Sequence, residues 1–135
     1  FWATWCPPCI ASIPVLNELV ARFSDEPVRF VSISYETEET VREFLEEHPL
    51  HTVVALDNDY ATFKSFAAWG VPTAVLVNRK GTIAGVIHPE DLSEEVIGEL
   101  LAGRIPAVKQ AEAYPDPEGA EKLFRELREK SETSF

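Results

Sequence analysis

The stretch FWATWCPPCI, residues 1–10, holds both cysteines of the 135-residue chain, Cys6 and Cys9, with Pro7 and Pro8 between them. Two successive prolines suit the first turn of a helix, where backbone N–H groups have no intrahelical partner. From there Ile10, Ile13, Leu16, Leu19, Val20 and Phe23 recur at helical spacing, and Pro14 inside the pattern predicts a kink. Such a helix puts Cys6 at its N-terminal end, where unpaired N–H groups and the helix dipole favour a thiolate. Cys9 falls one turn in. Cys6 is then the candidate nucleophile that forms or breaks a mixed disulfide, and Cys9 the residue that resolves it. A structural staple is the competing reading. A disulfide closing so short a loop, however, removes far less unfolded-state entropy than the ~3 kcal/mol of a loop of about 15 residues.

Outward from this turn, SDEP breaks the first helix and VRFVSISY, residues 28–35, reads as a buried strand. Thr37, with Thr40 as the alternative, caps a helix through Val41, Phe44 and Leu45 that Pro49 closes. A short strand at 52–56 precedes a helix carrying Tyr60, Phe63, Phe66 and Ala67, for which Gly70 is the expected stop. VPTAVLVN and TIAGVIH, joined by RKG, predict a β-hairpin. Ser93 caps a last helix with Val96, Ile97, Leu100 and Leu101, ended by Gly103. This order predicts an α/β sandwich with a mixed sheet over residues 1–103. Residues 104–135 divide into a linker, 104–116, and a charged amphipathic helix with Ala120, Leu123, Phe124 and Leu127 on one face.

The formal net charge is −11, from 23 acidic and 12 basic side chains, which argues against nucleic acid as a partner. Glu36, Glu38, Glu39, Glu43, Glu46 and Glu47 read as one solvated face. No apolar run approaches the roughly 20 residues of a membrane span. Two cysteines are too few for a disulfide framework, and a zinc site would need two more ligands from His48, His51 and His88. Pro49 between His48 and His51 breaks any shared helical face, so no metal site is expected.

FWATWCPPC, Pro14 in the helix that follows, and GVPT at residues 70–73 resemble the thioredoxin superfamily. They look most like the TlpA/ResA group of bacterial thiol–disulfide oxidoreductases, and the likeness runs over roughly residues 1–103. The resemblance implies a thioredoxin-like three-layer sandwich in which Pro72 is cis and the Val71 backbone pairs with an extended substrate segment. Trp5 would flank the reactive sulfur, with Pro7 and Pro8 completing the substrate surface. It further implies protein disulfides and dithiols as substrates, a membrane reductase as electron donor, and a periplasmic or other extracytoplasmic setting. No cofactor is implied, because electrons pass through the dithiol itself.

Two departures qualify the likeness. Many members carry a glutamate three residues after the second cysteine, where Ser12 stands here, and a hydroxyl cannot replace a carboxylate as a base. The family's strand leading into the first helix is central in the sheet, and only Phe1, Trp2 and Ala3 correspond to its end. A longer protein, with any export signal or anchor before Phe1, is therefore the expectation. Two other functions compete with thiol–disulfide exchange, and a redox-inert relative used for binding is a third reading, which the intact CPPC disfavours. A peroxiredoxin-like peroxidase would need a Thr, Arg or Gln environment that nothing here resembles, and a Cu(I)-delivery module would add His88 to the two thiolates.

Overall fold

The computed structural model describes residues 1–133. Its elements follow the expected order: α1 (Pro7–Arg22), β1 (Val31–Ser34), α2 (Glu38–Glu47), β2 (Val53–Leu56), α3 (Ala61–Phe66), β3 (Ala74–Val77), β4 (Ile83–Ile87), α4 (Glu94–Leu101) and α5 (Pro117–Thr133). A single 3₁₀ turn, Pro89–Asp91, sits between β4 and α4. The expected caps form. Thr37 Oγ1 accepts from the Thr40 N–H at the start of α2, and Ser93 Oγ from the Val96 N–H at the start of α4. Glu38 and Glu39, and Glu94 and Glu95, place negative charge in the first turns of those helices, where the dipole favours it. No helix among the described residues is long and apolar enough to cross a membrane.

The strands form two pairs. β1 and β2 run parallel with Val31 opposite Val53, whereas β3 and β4 are antiparallel with Ala74 opposite Ile87 and an irregularity at Leu76–Val77. Phe1 and Trp2 join them. The Trp2 N–H donates to the Ile33 carbonyl at 3.0 Å, and Phe1 exchanges backbone bonds with Thr73 in both directions, at 2.8 and 3.2 Å. These residues thus bond to β1 and to the residue that precedes β3. A cavity of about 460 Å³ lies between β1 and β3, with Val31, Ile33, Val75, Cys9, Ile13 and Ile97 among its walls.

Burial divides into two clusters. Leu76 and Ile87 of the hairpin pack with Val96 and Leu100 of α4. The larger cluster gathers Trp2, Cys6, Cys9, Tyr35, Val41, Phe63 and Trp69, together with Ala120 and Phe124 of α5. The C-terminal helix is therefore docked. Its buried stripe runs through Ala120 and Phe124, while Leu123, expected on that face, is exposed. The segment before it also departs from a free linker, because the Ala111 N–H donates to the Val86 carbonyl of β4.

Two boundaries differ from expectation. The strand expected at 28–35 is confined to Val31–Ser34, the length over which β2 supplies partners. α3 ends at Phe66 and not near Gly70, because Ala67 turns into the left-handed region at φ +49° and the Ala68 N–H reaches back to the Phe63 carbonyl. That six-to-one closure usually employs glycine. An alanine there carries a cost of about 1–2 kcal/mol from its Cβ, and the Ala67 side chain is exposed. Ala67→Gly is expected to raise stability by up to about 1 kcal/mol, part of the relief being offset by the freer unfolded chain. A higher urea midpoint with an unchanged slope would record it.

Candidate active site

Cys6 is the N-cap of α1, in extended conformation at φ −94° and ψ 107°. Pro7 and Pro8 have no N–H to donate, so the first free N–H of the helix belongs to Cys9. It points at the Cys6 sulfur, 3.2 Å away. No acidic residue occupies the first turn. The unopposed dipole and this N–H both favour a thiolate at Cys6 once the bond between the cysteines is reduced. Here the two form a disulfide with Cα atoms 5.2 Å apart, inside the usual range for such bonds. Cys6 is 2% exposed and Cys9 3%. α1 continues through Pro14, and the Ser12 hydroxyl donates to the Pro8 carbonyl at 2.9 Å, a bond within its own helix.

The loop before Cys6 is held from below. Glu36, expected on a solvated face, is only 5% exposed, while Glu38, Glu39, Glu43, Glu46 and Glu47 do face solvent. Its carboxylate accepts from the Thr4 N–H at 2.7 Å, the Thr4 hydroxyl at 2.6 Å and the Ser34 hydroxyl at 2.9 Å. Three donors compensate the burial of a charge that would otherwise be costly. The signal for this lies in Ser32, Ser34 and Glu36, three polar residues two apart in an apolar strand run, which strand alternation puts on one face. Beside it the Trp5 indole N–H donates to the Tyr35 hydroxyl at 2.6 Å. Burial pushes the Tyr35 phenol well above the ordinary tyrosine value, and the bond from Trp5 offsets this only in part.

The other site residues fall on two sides of this loop. Trp5 is 42% exposed, and Pro7 and Pro8 also face solvent. The Val71–Pro72 peptide is cis, as the resemblance implied. Val71 packs against the cluster that contains Cys6 and Cys9, and Pro72 lines the same cavity as Cys9. The Thr73 hydroxyl donates to the Gly70 carbonyl, tying the turn together. His88 is exposed at the start of the 3₁₀ turn, and His48 stacks on Phe44 at 4.3 Å. Among the described residues, no three His, Cys, Asp or Glu side chains converge on a position suited to a metal ion. The contacts of α5 with Trp5 and Tyr35, through Phe124, have no counterpart in the sequence reading.

Comparison with known proteins bears on this geometry. The family model described as Redoxin matches residues 1–101. A thiol-disulfide oxidoreductase ResA of Bacillus cereus is 30% identical over 101 residues, covering 74% of this chain and 58% of that one. The sporulation thiol-disulfide oxidoreductase A of Bacillus subtilis (strain 168) is 28% identical over 102 residues, covering 70% of this chain and 62% of the relative. The chain thus spans a little under two thirds of the length of these curated relatives. A crystal structure of a candidate thiol:disulfide interchange protein DsbE from Chlorobium tepidum superposes with a TM-score of 0.64 at 26% identity. It covers 78% of this chain and 77% of its own, and with it the fold is thioredoxin-like.

Two outcomes are expected from the loop. Glu36→Ala leaves a part-buried N–H and two hydroxyls without their acceptor and should lower stability by about 2 kcal/mol. Glu36→Gln, which keeps one acceptor oxygen, should lose less; urea unfolding of the two variants measures the difference. Tyr35 has a folded-state value raised above the unfolded one. Its contribution is therefore complete below about pH 10 and lost as pH rises beyond it. The alkaline fall in the unfolding midpoint should be shallower in Tyr35→Phe than in the parent.

Proposed function

The chain belongs to the Redoxin family, and we propose that it is a thioredoxin-like thiol–disulfide oxidoreductase acting on protein thiols, in the reducing direction. The observation that carries the reading is the Cys6 sulfur at the helix N-cap, with the Cys9 N–H directed at it. In the reduced protein the Cys6 thiolate attacks one sulfur of a substrate disulfide. A mixed disulfide forms, and the departing substrate thiolate takes up a proton. Cys9, after losing its proton, attacks the Cys6 sulfur, releases the second substrate thiol and closes the Cys6–Cys9 bond. Two electrons and two protons pass from the dithiol to the substrate.

Trp5, Pro7 and Pro8 form the outer surface beside Cys6, where a substrate chain lies. The Val71 backbone offers it main-chain hydrogen bonds, as the family resemblance implies. Ser12 is bonded to the Pro8 carbonyl, so protons of the dithiol exchange with water and not through a carboxylate at that position. We further propose an extracytoplasmic bacterial setting, with a membrane reductase returning electrons to Cys6 and Cys9 and a membrane anchor outside residues 1–135. The bacterial thiol-disulfide oxidoreductases among its relatives support this placement.

Cys6→Ser should abolish reduction of insulin disulfides, because the sulfur that opens the reaction is gone. Cys9→Ser should instead accumulate a protein-linked mixed disulfide, visible by mass spectrometry and released by dithiothreitol. Either variant turning over at the parent rate would remove the assignment.

A further inference from the structure

The family match ends at residue 101, and the exchange chemistry gives the following residues no task. They are nonetheless built against the site from two directions. The segment from 104 to 116 runs beside β4, where the Val86 N–H donates to Gln110 Oε1 and the Ala111 N–H to the Val86 carbonyl. It delivers Tyr114 to Gly70, the residue before Val71. A Cβ on Gly70 would meet Tyr114 Cδ2 at 3.3 Å, a tight contact from which the ring would have to yield by a few tenths of an ångström. α5 then meets the Trp5 and Tyr35 side of the site. The Phe124 ring meets Trp5 edge-on at 6.0 Å, lies flat on Tyr35 at 4.5 Å and contacts Trp69 at 5.8 Å. Phe124 is 2% exposed on a helix whose neighbouring positions mostly face water.

Polar contacts register the helix around this ring. Glu121 pairs with Lys64 at 3.1 Å, the Arg128 guanidinium donates to the carbonyls of Tyr35 and Asn58, and Arg125 lies 4.3 Å over the Tyr60 ring. Part-exposed contacts of this kind fix a geometry and add modestly to its stability. The buried side chains of α5 in the shared cluster are Ala120 and Phe124. The segment before α5 stays anchored through Val108 on the hairpin cluster. α5 itself is held by these two apolar side chains and by part-exposed polar contacts, the Thr40–Ser131 hydroxyl bond at 2.8 Å among them, and can lift while the core beneath stays folded.

We infer that residues 104–133 form a selectivity cap over the substrate site. Phe124 closes the flank beside Trp5 and Cys6, Tyr114 closes the flank beside Gly70 and Val71, and the opening left between them limits the disulfides that reach Cys6. A slim disulfide needs a small opening, whereas a protein segment laid along Val71 requires the arm to lift. The inference rests on the oxidoreductase reading above.

The test compares turnover of insulin disulfides with that of oxidised glutathione. It uses the parent, Phe124→Ala, the Tyr114→Ala/Phe124→Ala double variant, and Leu123→Ala as a control on the exposed side of α5. The insulin-to-glutathione ratio should rise about tenfold in the double variant, the scale set by the loss of aromatic contacts, and stay at the parent value in Leu123→Ala. Equal ratios in all four proteins, with near-ultraviolet circular dichroism retained, would overturn the cap. Should the double variant lose that spectrum, hydrogen exchange on the native side chains of the arm decides. In Cys9→Ser carrying a trapped insulin-chain mixed disulfide, amides of residues 117–131 should exchange faster than in the unmodified variant, and equal rates overturn the inference. Failure of Cys9→Ser to form any mixed disulfide overturns the oxidoreductase reading itself, which is a separate result.

Discussion

A helix begins with N–H groups that no preceding turn can satisfy, and in this protein the first of them to carry a hydrogen, that of Cys9, is given to the sulfur of Cys6. The rest of the site is arranged around that bond. Two prolines ensure that no earlier N–H competes for the sulfur. Thr4, two residues upstream, is clamped by Glu36 so that the chain enters the helix at one angle. The Val71–Pro72 turn packs against the same cluster from the side. A thiol in a loop would be free to turn away from its partner; a thiol that caps a helix stays where the dipole is strongest.

What the sequence disclosed follows from how local each signal is. Thr37, Ser93 and the Pro7–Pro8 pair act within one helical turn of themselves, and each stands where a reading of neighbours puts it. The hairpin turn is local in the same sense: Asn78 Oδ1 accepts from the N–H groups of Lys80 and Thr82, and Gly81 takes φ +78°. Glu36 escapes such a reading because the donor that makes its burial tolerable, Thr4, is 32 residues away. Strand alternation hints at it, but a cluster of six glutamates reads as solvent-facing unless the partner of one is known. The end of α3 differs for another reason. Glycine is the usual residue at a left-handed position, and Ala67 adopts it under the pull of Ala68 and Trp69, which are buried in the core.

The largest gap between sequence and structure concerns residues 104–133. Their apolar spacing identifies a helix, but periodicity cannot say which surface a helix meets. Leu123 and Phe124 are equivalent on that evidence, and only one of them is buried. What separates them is the aromatic floor formed by Tyr35, Tyr60, Phe63 and Trp69, assembled from three different stretches of chain. The Trp5–Tyr35 hydrogen bond joins that floor to the CPPC loop, so the arm and the two cysteines share one packed wall.

The stacking of Phe124 on Tyr35 also orders events in time. A chain is made from its N-terminus, and units fold as they are completed. Cys6, Cys9, Glu36 and the Val71–Pro72 turn are all synthesised before residue 124. Domains fold as units, and Phe124 belongs to the same buried cluster as Cys6, Cys9 and Tyr35, so the packing around the cysteines is complete only once α5 has docked. A chain cut before α5 would keep both cysteines and lose the ring that packs on Trp5 and Tyr35.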